Sequence, residues 1–195
     1  MDGRSAHNSG NARNARIEPV EPPFSPDIEA AFGKIMPPGV PPLALFTTLA
    51  RNPRVFQRFM AGGLLDRGSI SLREREIVID RATARCGAEY EWGVHVAFFG
   101  GKAGLGEAQV EATVRGGADD PAWSPRERLL IRLVDALHDT ATVDDALWVD
   151  LAAGFSDEQR IELVVLAGLY HMVSFVTNAL AVPLEPFAAR FPPPQ

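Results

Sequence analysis

The fold is decided by SLREREIVIDRATARCGAEYEWGVHV, residues 71–96, in which two helical patterns meet at a glycine. Ser71 and Glu74 have the spacing of a capping box, in which two side chains satisfy the free backbone donors at the start of a helix. Gly87 stands where that helix should end, and the short break lets a second helix fold back on the first. The stretch therefore predicts two adjacent helices.

Three ionisable residues fall on the inner faces of these two helices. On the first helix, Glu76 lies in a mostly apolar stripe with Leu72 and Ile79, at steps of four and three residues. On the second helix, Glu91 and His95 are separated by four residues, which makes them neighbours on its surface. We therefore expect Glu76, Glu91 and His95 to meet in one pocket.

This trio is chemically suited to proton transfer. A carboxylate beside an imidazole fixes its tautomer and raises its pKa, which leaves the other ring nitrogen to handle a substrate proton. A glutamate in apolar surroundings has a raised pKa and exchanges protons near neutral pH. We predict His95 as the general acid/base, Glu91 as its orienting partner and Glu76 as a second proton carrier. The alternative is an ordinary Glu–His pair on an exposed helix face.

The same helix signals recur along the whole chain, and no alternating strand pattern accompanies them. We predict an all-α fold with about eight or nine helices in one domain over 26–187, preceded by a disordered arm over 1–25 and followed by a flexible tail over 188–195. The predicted helices are 26–34, 42–50, 53–62, 71–86, 88–100, 106–115, 124–138, 143–153 and 156–182.

Composition is that of a soluble globular protein, with 46% apolar residues, 23% charged residues and one cysteine. The net charge of −6 without a basic cluster excludes nucleic acid as a natural partner. A single cysteine suits a reducing cytoplasm. The uncharged run Leu163–Leu184 is long enough to span a bilayer. We interpret it instead as a central buried helix and predict no membrane association.

Polar residues of the last helix form a second candidate set. Tyr170, Ser174 and Asn178 follow one another at four-residue steps inside this apolar run, so they either bond to a neighbouring helix or line a pocket. We predict all three, together with Trp92, as substrate-binding residues, although packing is the alternative for Trp92.

Metal binding is not predicted from this sequence. His138 and His171 stand alone without ligands at zinc spacing, and Cys86 is more typical of a small buried residue.

The run LREREIVIDRATARCGAEYEWGVHVAFFGGKAGLGEAQVEA (72–112) resembles the central motif of the carboxymuconolactone decarboxylase family, which includes the alkylhydroperoxidase D-like (AhpD-like) proteins. The later run WSPRERLLIRLVDALHDTATVDDALWVDLAAGFSDEQRIELVVLAGLYHMVSFVTNAL (123–180) resembles the C-terminal half of its longer members. The likeness covers roughly residues 40–187. It implies an all-α fold assembled into trimers or hexamers.

Individual residues indicate which members of the family the chain resembles. Peroxidase-type members carry an acid, a CxxC pair and a histidine, and here Glu76 and His95 match the acid and the histidine. The two cysteine positions hold Ala88 and Glu91, so the thiolate that reduces peroxide is missing. The decarboxylase proper is similar at Glu91 and His95. The chain therefore looks like a longer subgroup without the CxxC pair.

Together, these features predict a cofactor-independent, lyase-like enzyme that moves protons on a small lactone or a related enolisable acid. Two carboxylates would repel a substrate carboxylate unless one is protonated or an arginine intervenes. The arginines nearest in sequence are Arg54, Arg58, Arg73 and Arg75. The alternatives are an isomerase, dehydratase or cyclase that loses no CO2, and a non-catalytic helical oligomer that binds a hydrophobic small molecule.

Overall fold

The structure, a computed structural model, describes residues 15–193. Those residues contain nine α-helices and no strand, which confirms the all-α prediction. The helices are α1 (Pro26–Ile35), α2 (Ala44–Leu49), α3 (Pro53–Ala61), α4 (Leu72–Arg85), α5 (Glu89–His95), α6 (Glu107–Arg115), α7 (Pro125–Thr140), α8 (Asp145–Gly154) and α9 (Asp157–Ala179).

The helix starts are fixed by side chains that the sequence identifies. The capping boxes at the starts of α4, α7 and α9 are all formed, on Ser71, Ser124 and Ser156. Asn52 caps α3 by accepting a hydrogen bond from the Val55 backbone, with Pro53 in the first turn. These caps satisfy backbone donors that would otherwise be unpaired, so they set where each helix begins.

Helix α4 is the centre of the fold and packs against α5, α6, α7 and α9. Its residues from Arg75 to Thr83 are all buried, so polar residues on this segment must find partners inside the protein. One apolar cluster surrounds α4 with α7, α8 and α9. A second joins α1, α2 and α3 to one face of α5 and to α9. The candidate residues of α4 and α5 lie between these clusters.

The second helix of the opening stretch differs from its predicted form. Gly87 adopts a φ of 62°, a left-handed conformation that glycine takes without strain, and it lets α5 turn back toward α4. After His95 the chain continues as one π-helical turn over Val96–Gly100, where the sequence predicts unbroken α-helix over 88–100. Such turns hold one extra residue and are frequent at functional sites.

The chain on the C-terminal side of α9 closes the back of α5. Tyr90 donates a hydrogen bond to Glu185 at 2.8 Å, and the Ala189 backbone donates to the Gly93 carbonyl at 3.1 Å. Gly93 permits this approach because a Cβ there would lie 2.2 Å from the Ala189 oxygen. A side chain at position 93 would therefore displace the backbone of the tail.

The described parts of the predicted arm and tail, 15–25 and 188–193, contact the rest of the chain. In the arm, the Arg16 backbone donates to the Leu180 carbonyl at 3.0 Å and the Val20 backbone to the Thr47 carbonyl at 3.1 Å. In the tail, Phe191 packs on Trp92 with ring centroids 5.0 Å apart. Local sequence patterns do not report such contacts between distant segments. The remainder of both predictions, 1–14 and 194–195, lies outside the described residues.

Among the described residues, one helix, α9, has the length and apolar composition of a membrane span, with a hydropathy of 1.4. One face of α9 is buried against the core, including Leu163, Leu166 and Tyr170. The core helix of a soluble protein can have the same length and apolar composition. The burial of this face agrees with the predicted central helix. The opposite face carries Ile161, Val165, Met172 and Phe175, all exposed.

Candidate functional site

The structure brings Glu76, Glu91 and His95 together around one imidazole ring. His95 Nδ1 donates a hydrogen bond to Glu76 Oε2 at 2.8 Å, and its Nε2 lies 3.5 Å from Glu91 Oε1. Glu76 is completely buried and His95 nearly so, at 0% and 3% exposure. Since a carboxylate only accepts hydrogen bonds, Glu76 fixes a proton on Nδ1 and directs Nε2 toward Glu91. Glu76 therefore occupies the orienting position that the sequence analysis assigned to Glu91.

The protonation of His95 is set by its two carboxylate neighbours. Burial lowers the pKa of the imidazole, but hydrogen bonds to Glu76 and Glu91 and their negative charges outweigh it and raise the pKa to about 10. The ring is therefore an imidazolium at neutral pH, with a proton on each nitrogen.

Tyr170 completes the contacts of the ring. Its hydroxyl oxygen lies 3.0 Å from His95 Nε2, and the tyrosine is 3% exposed. Burial, together with the charges of Glu91 and Glu76, raises the pKa of Tyr170 well above its usual value. The phenol stays protonated, so it can donate a hydrogen bond to a ligand while it contacts the histidine.

Asp80 is a third carboxylic acid in the same part of the interior. It follows Glu76 by one turn of α4, is 0% exposed, and neither of its carboxylate oxygens has a hydrogen-bond partner. Burial raises its pKa well above the usual value, the charge of Glu76 adds to the rise, and the nearby His95 opposes it. Burial without a hydrogen-bond partner therefore disfavours the charged form of Asp80.

The open side of His95 faces a cavity of about 310 Å³, the size of a small-ligand pocket. Its polar groups are Glu91, His95, Tyr170 and Lys102. The rest of the wall is largely apolar and includes Met36, Leu45, Phe59, Leu65, Phe98 and Phe99. Such a cavity accepts a small, mostly apolar molecule with one polar end directed at His95.

Charge at the polar end is balanced by an arginine. Arg75 Nε donates to Glu76 Oε1 at 2.8 Å, and its guanidinium lies 5.3 Å from the centre of the Phe99 ring. The two carboxylates of Glu76 and Glu91 are thus matched by the cations of Arg75 and His95. Lys102, exposed at the edge of the cavity, adds one further positive charge. Arg75 therefore offsets the negative charge of the two carboxylates, which would otherwise repel a substrate carboxylate.

Three residues predicted to bind substrate lie away from this cavity. Trp92 is buried and donates its Nε1–H to Thr113 Oγ1 at 3.0 Å. Ser174 donates to the Tyr170 carbonyl at 2.6 Å, and Asn178 donates to the Cys86 carbonyl at 2.9 Å. Each polar group is satisfied by the protein itself. Ser174 and Asn178 therefore bond to neighbouring helical segments, which was the alternative to lining a pocket. Of the four residues predicted to bind substrate, Tyr170 alone lines this cavity.

Sequence reasoning missed Asp80 and Lys102, and it named Arg75 as one of four nearby arginines without singling it out. Asp80 had a signal, because it lies four residues after Glu76 on the same buried face. Lys102 had none, because its position does not interrupt a recognisable pattern. Lys102 lies at the cavity edge, two residues after the π-helical turn of Val96–Gly100.

A metal-ligand set also forms where none was predicted. Cys86, His138 and His171 come from three helical segments, and their ligand atoms all lie within 4.8 Å of one another. The residues are far apart in sequence, so no spacing rule joins them. The packing of α4, α7 and α9 brings them together.

Comparison with known proteins agrees with this fold. The sequence model of the "Carboxymuconolactone decarboxylase family" matches residues 52–136, which confirms the family resemblance drawn from the sequence. The matched segment contains α3 to α6 and most of α7, including Glu76, Glu91 and His95. No curated protein matches the chain.

Solved structures extend the likeness to most of the chain. One is described as an alkylhydroperoxidase AhpD core, an uncharacterised peroxidase-related protein from Ralstonia eutropha JMP134. It is 18% identical, with a TM-score of 0.75, and the match covers 87% of this chain and 93% of that one. Another uncharacterised peroxidase-related protein, from Silicibacter sp. TM1040, is 20% identical with a TM-score of 0.71, over 94% and 100% of the two chains.

A third similar structure is the debrominase Bmp8, in its C82A variant with 2,3,4-tribromopyrrole. It is 18% identical with a TM-score of 0.71, and the match covers 90% of this chain and 94% of that one. At these identities the likeness establishes the fold. The chain thus has the AhpD-like helical fold, and its residues 52–136 match the carboxymuconolactone decarboxylase family.

Proposed function

We propose that this protein is a cofactor-independent, lyase-like enzyme that transfers protons on a small lactone or a related enolisable acid. The observation that supports it most is the His95 ring, held by Glu76 at 2.8 Å on one side and facing Tyr170 at 3.0 Å on the other, at the polar end of an apolar cavity. A positioned acid of this kind supplies general acid–base catalysis without a metal or an organic group.

The proposed reaction follows from the protonation state of the site. When a carboxylated unsaturated lactone loses CO2, the carbon–carbon bond breaks and its electron pair delocalises onto the lactone carbonyl as an enolate. The hydroxyl of Tyr170 and the imidazolium stabilise that negative charge. His95 then transfers its Nε2 proton to the ring carbon, and Glu91 returns a proton from water to Nε2. Glu76 keeps the Nδ1 proton throughout, so it orients the ring.

A thiol-based peroxidase reaction is excluded from this proposal. By the family resemblance, Ala88 and Glu91 stand at the two cysteine positions of the CxxC pair. Burial raises the pKa of the remaining thiol, Cys86, although the Ser174 hydroxyl and the charge of Arg85 oppose the rise. A raised pKa leaves less of the reactive thiolate at neutral pH.

The first test is an assay of the wild-type protein with 4-carboxymuconolactone, in which CO2 release and the ultraviolet change are followed. The same incubation in D2O, followed by NMR, reports deuterium incorporation at the enolisable carbon. Release of CO2 supports the lyase reaction. Deuterium exchange without CO2 release favours an isomerase, dehydratase or cyclase. Absence of both, with the compound bound, supports the non-catalytic binding protein and contradicts the enzyme.

Glu91→Gln tests the proton-return step. Because Gln cannot accept and release the proton, we expect turnover to fall by about tenfold while substrate binding changes little. Asn178→Ala is the matched control, since Asn178 lies on a neighbouring helix and outside the cavity, and its turnover should equal that of the wild type. Equal turnover in Glu91→Gln would remove Glu91 from the mechanism.

Assembly into a trimer or hexamer is the second part of the proposal. Ile161, Val165, Met172 and Phe175 lie on one exposed stripe of α9, at 65%, 53%, 38% and 64% exposure. Their steps of four, seven and three residues keep them on one helix face, as in helices that pack on a second copy. An apolar stripe of this length is unusual on a monomer and is typical of an interface.

Light scattering on Val165→Glu tests this assembly. We expect the wild type to have a mass that is a multiple of 21.1 kDa. Val165→Glu should shift the mass toward the monomer, because it buries a charge in the interface. Val149→Glu is the matched control, as Val149 is 67% exposed on α8 outside the stripe. A wild-type mass of one chain would exclude assembly.

A further inference from the structure

Three side chains outside the His95 site converge on one point of the surface. Cys86 directly follows α4, His138 lies near the end of α7, and His171 lies in the middle of α9. The Cys86 Sγ lies 3.8 Å from His138 Nδ1, which in turn lies 3.0 Å from His171 Nε2. None of the three lines the cavity in front of His95.

These separations are close to those of ligands around one zinc ion. Zinc binds nitrogen at about 2.0 to 2.1 Å and thiolate sulfur at about 2.3 Å in tetrahedral geometry. Two nitrogens on such an ion are about 3.3 Å apart, and a nitrogen and a sulfur about 3.6 Å. The observed 3.0 Å and 3.8 Å differ from these values by only a few tenths of an ångström. The third pair, Cys86 Sγ and His171 Nε2, lies within 4.8 Å, so side-chain movements of about 1 Å would place all three donors on one ion.

The surroundings of the donors also favour an ion. His171 Nδ1 donates to the Ala167 carbonyl at 2.8 Å, which leaves the lone pair of Nε2 directed at His138. A backbone acceptor on the far nitrogen is the usual support of a histidine that binds a metal. In addition, all three residues are partly exposed, so an ion has a path of entry and water can fill a fourth position.

We propose that Cys86, His138 and His171 bind one zinc ion, with water as the fourth ligand. A thiolate and two imidazoles are the donors that zinc prefers, whereas magnesium and calcium prefer oxygen. In the metal-free chain, the His138 Nδ1–H donates to His171 Nε2. Zinc takes the place of that proton, which moves to His138 Nε2, and it displaces the thiol proton, so one net proton leaves as the ion binds. The ion joins α4, α7 and α9 and stabilises their packing.

Zinc binding is measured on the full chain, purified without a histidine tag and freed of metal with a chelator. Competition with a chromophoric chelator should give about one zinc ion per chain. Cobalt in place of zinc should give the visible absorption of a tetrahedral site and a thiolate-to-metal charge-transfer band. In the wild type, zinc should also protect Cys86 from a thiol reagent, a readout that depends on no substitution.

The variants assign the ligands. Cys86→Ser should remove the charge-transfer band and weaken zinc binding by at least about tenfold, and His138→Ala and His171→Ala should weaken it similarly. His95→Gln is the histidine control and should bind zinc as the wild type does. Unchanged zinc affinity in Cys86→Ser, or no protection of the wild-type thiol, would overturn the site. Because no substrate is used, these outcomes are independent of the proposed enzymatic activity.

Discussion

Replacement of His95 by alanine is expected to reduce turnover by on the order of 10²-fold or more, the usual contribution of a general acid–base residue. The physical reason is that His95 faces the cavity with a transferable proton on Nε2, while the hydrogen bond from Nδ1 to Glu76 holds the ring in place. The measurement is kcat on the substrate found by the first assay, with the unfolding curve recorded in parallel.

Two further measurements distinguish a loss of catalysis from a loss of folded structure in His95→Ala. His95→Gln retains a polar side chain beside Glu76, and it should be as inactive as His95→Ala while unfolding closer to the wild type. Free imidazole added to His95→Ala can occupy the vacated space and should restore part of the turnover. Wild-type turnover in either variant would refute the assignment of His95.

Glu76→Gln is expected to lower the free energy of unfolding by about 3–5 kcal/mol, the usual cost of removing one partner from a buried ion pair. Glu76 is 0% exposed and bonds to both His95 and Arg75, so its loss leaves two buried cations with less compensation. Urea unfolding at neutral pH measures the loss. The control is Glu111→Gln, an exposed partner of Arg115 whose removal should cost less than about 1 kcal/mol.

The same pair makes stability depend on pH. The pKa of His95 rises from 6.5 to about 10 in the folded chain, so the folded state binds this proton more tightly than the unfolded state does. This stabilisation is complete below pH 6.5 and is lost as the pH rises toward 10. Removal of the Glu76 charge lowers the folded pKa, so Glu76→Gln should show a flatter decline across this range. Parallel curves for the two proteins would contradict the coupling.

The sequence predicted the helices and the central trio because both depend on local patterns. Capping boxes and three- and four-residue steps act within one or two helical turns, and Gly87 supplied the turn that brings Glu76 to His95. The role of each glutamate was not predictable in the same way. Which of the two carboxylates meets Nδ1 depends on the rotation of α5 against α4, and that is set by packing.

The other differences between the predicted and the observed site also arise from packing. Ser174 and Asn178 share a helical stripe with Tyr170, yet their polar groups bond to the Tyr170 carbonyl and the Cys86 carbonyl. A periodic pattern gives a face of a helix, but the contacts of that face depend on which neighbour covers each turn. For the same reason, the approach of Cys86 to His138 had no signal in the sequence.

The bond between Tyr90 and Glu185 has a consequence for how the protein folds. It joins residues 95 positions apart, and the contact of Tyr170 with His95 joins residues 75 positions apart. Helical proteins usually fold fast because their contacts are local, whereas distant contacts require loop closure first. Here the helices can form early, but the pocket exists only after distant segments have met. Full helicity by circular dichroism is therefore compatible with a chain whose pocket has not yet assembled.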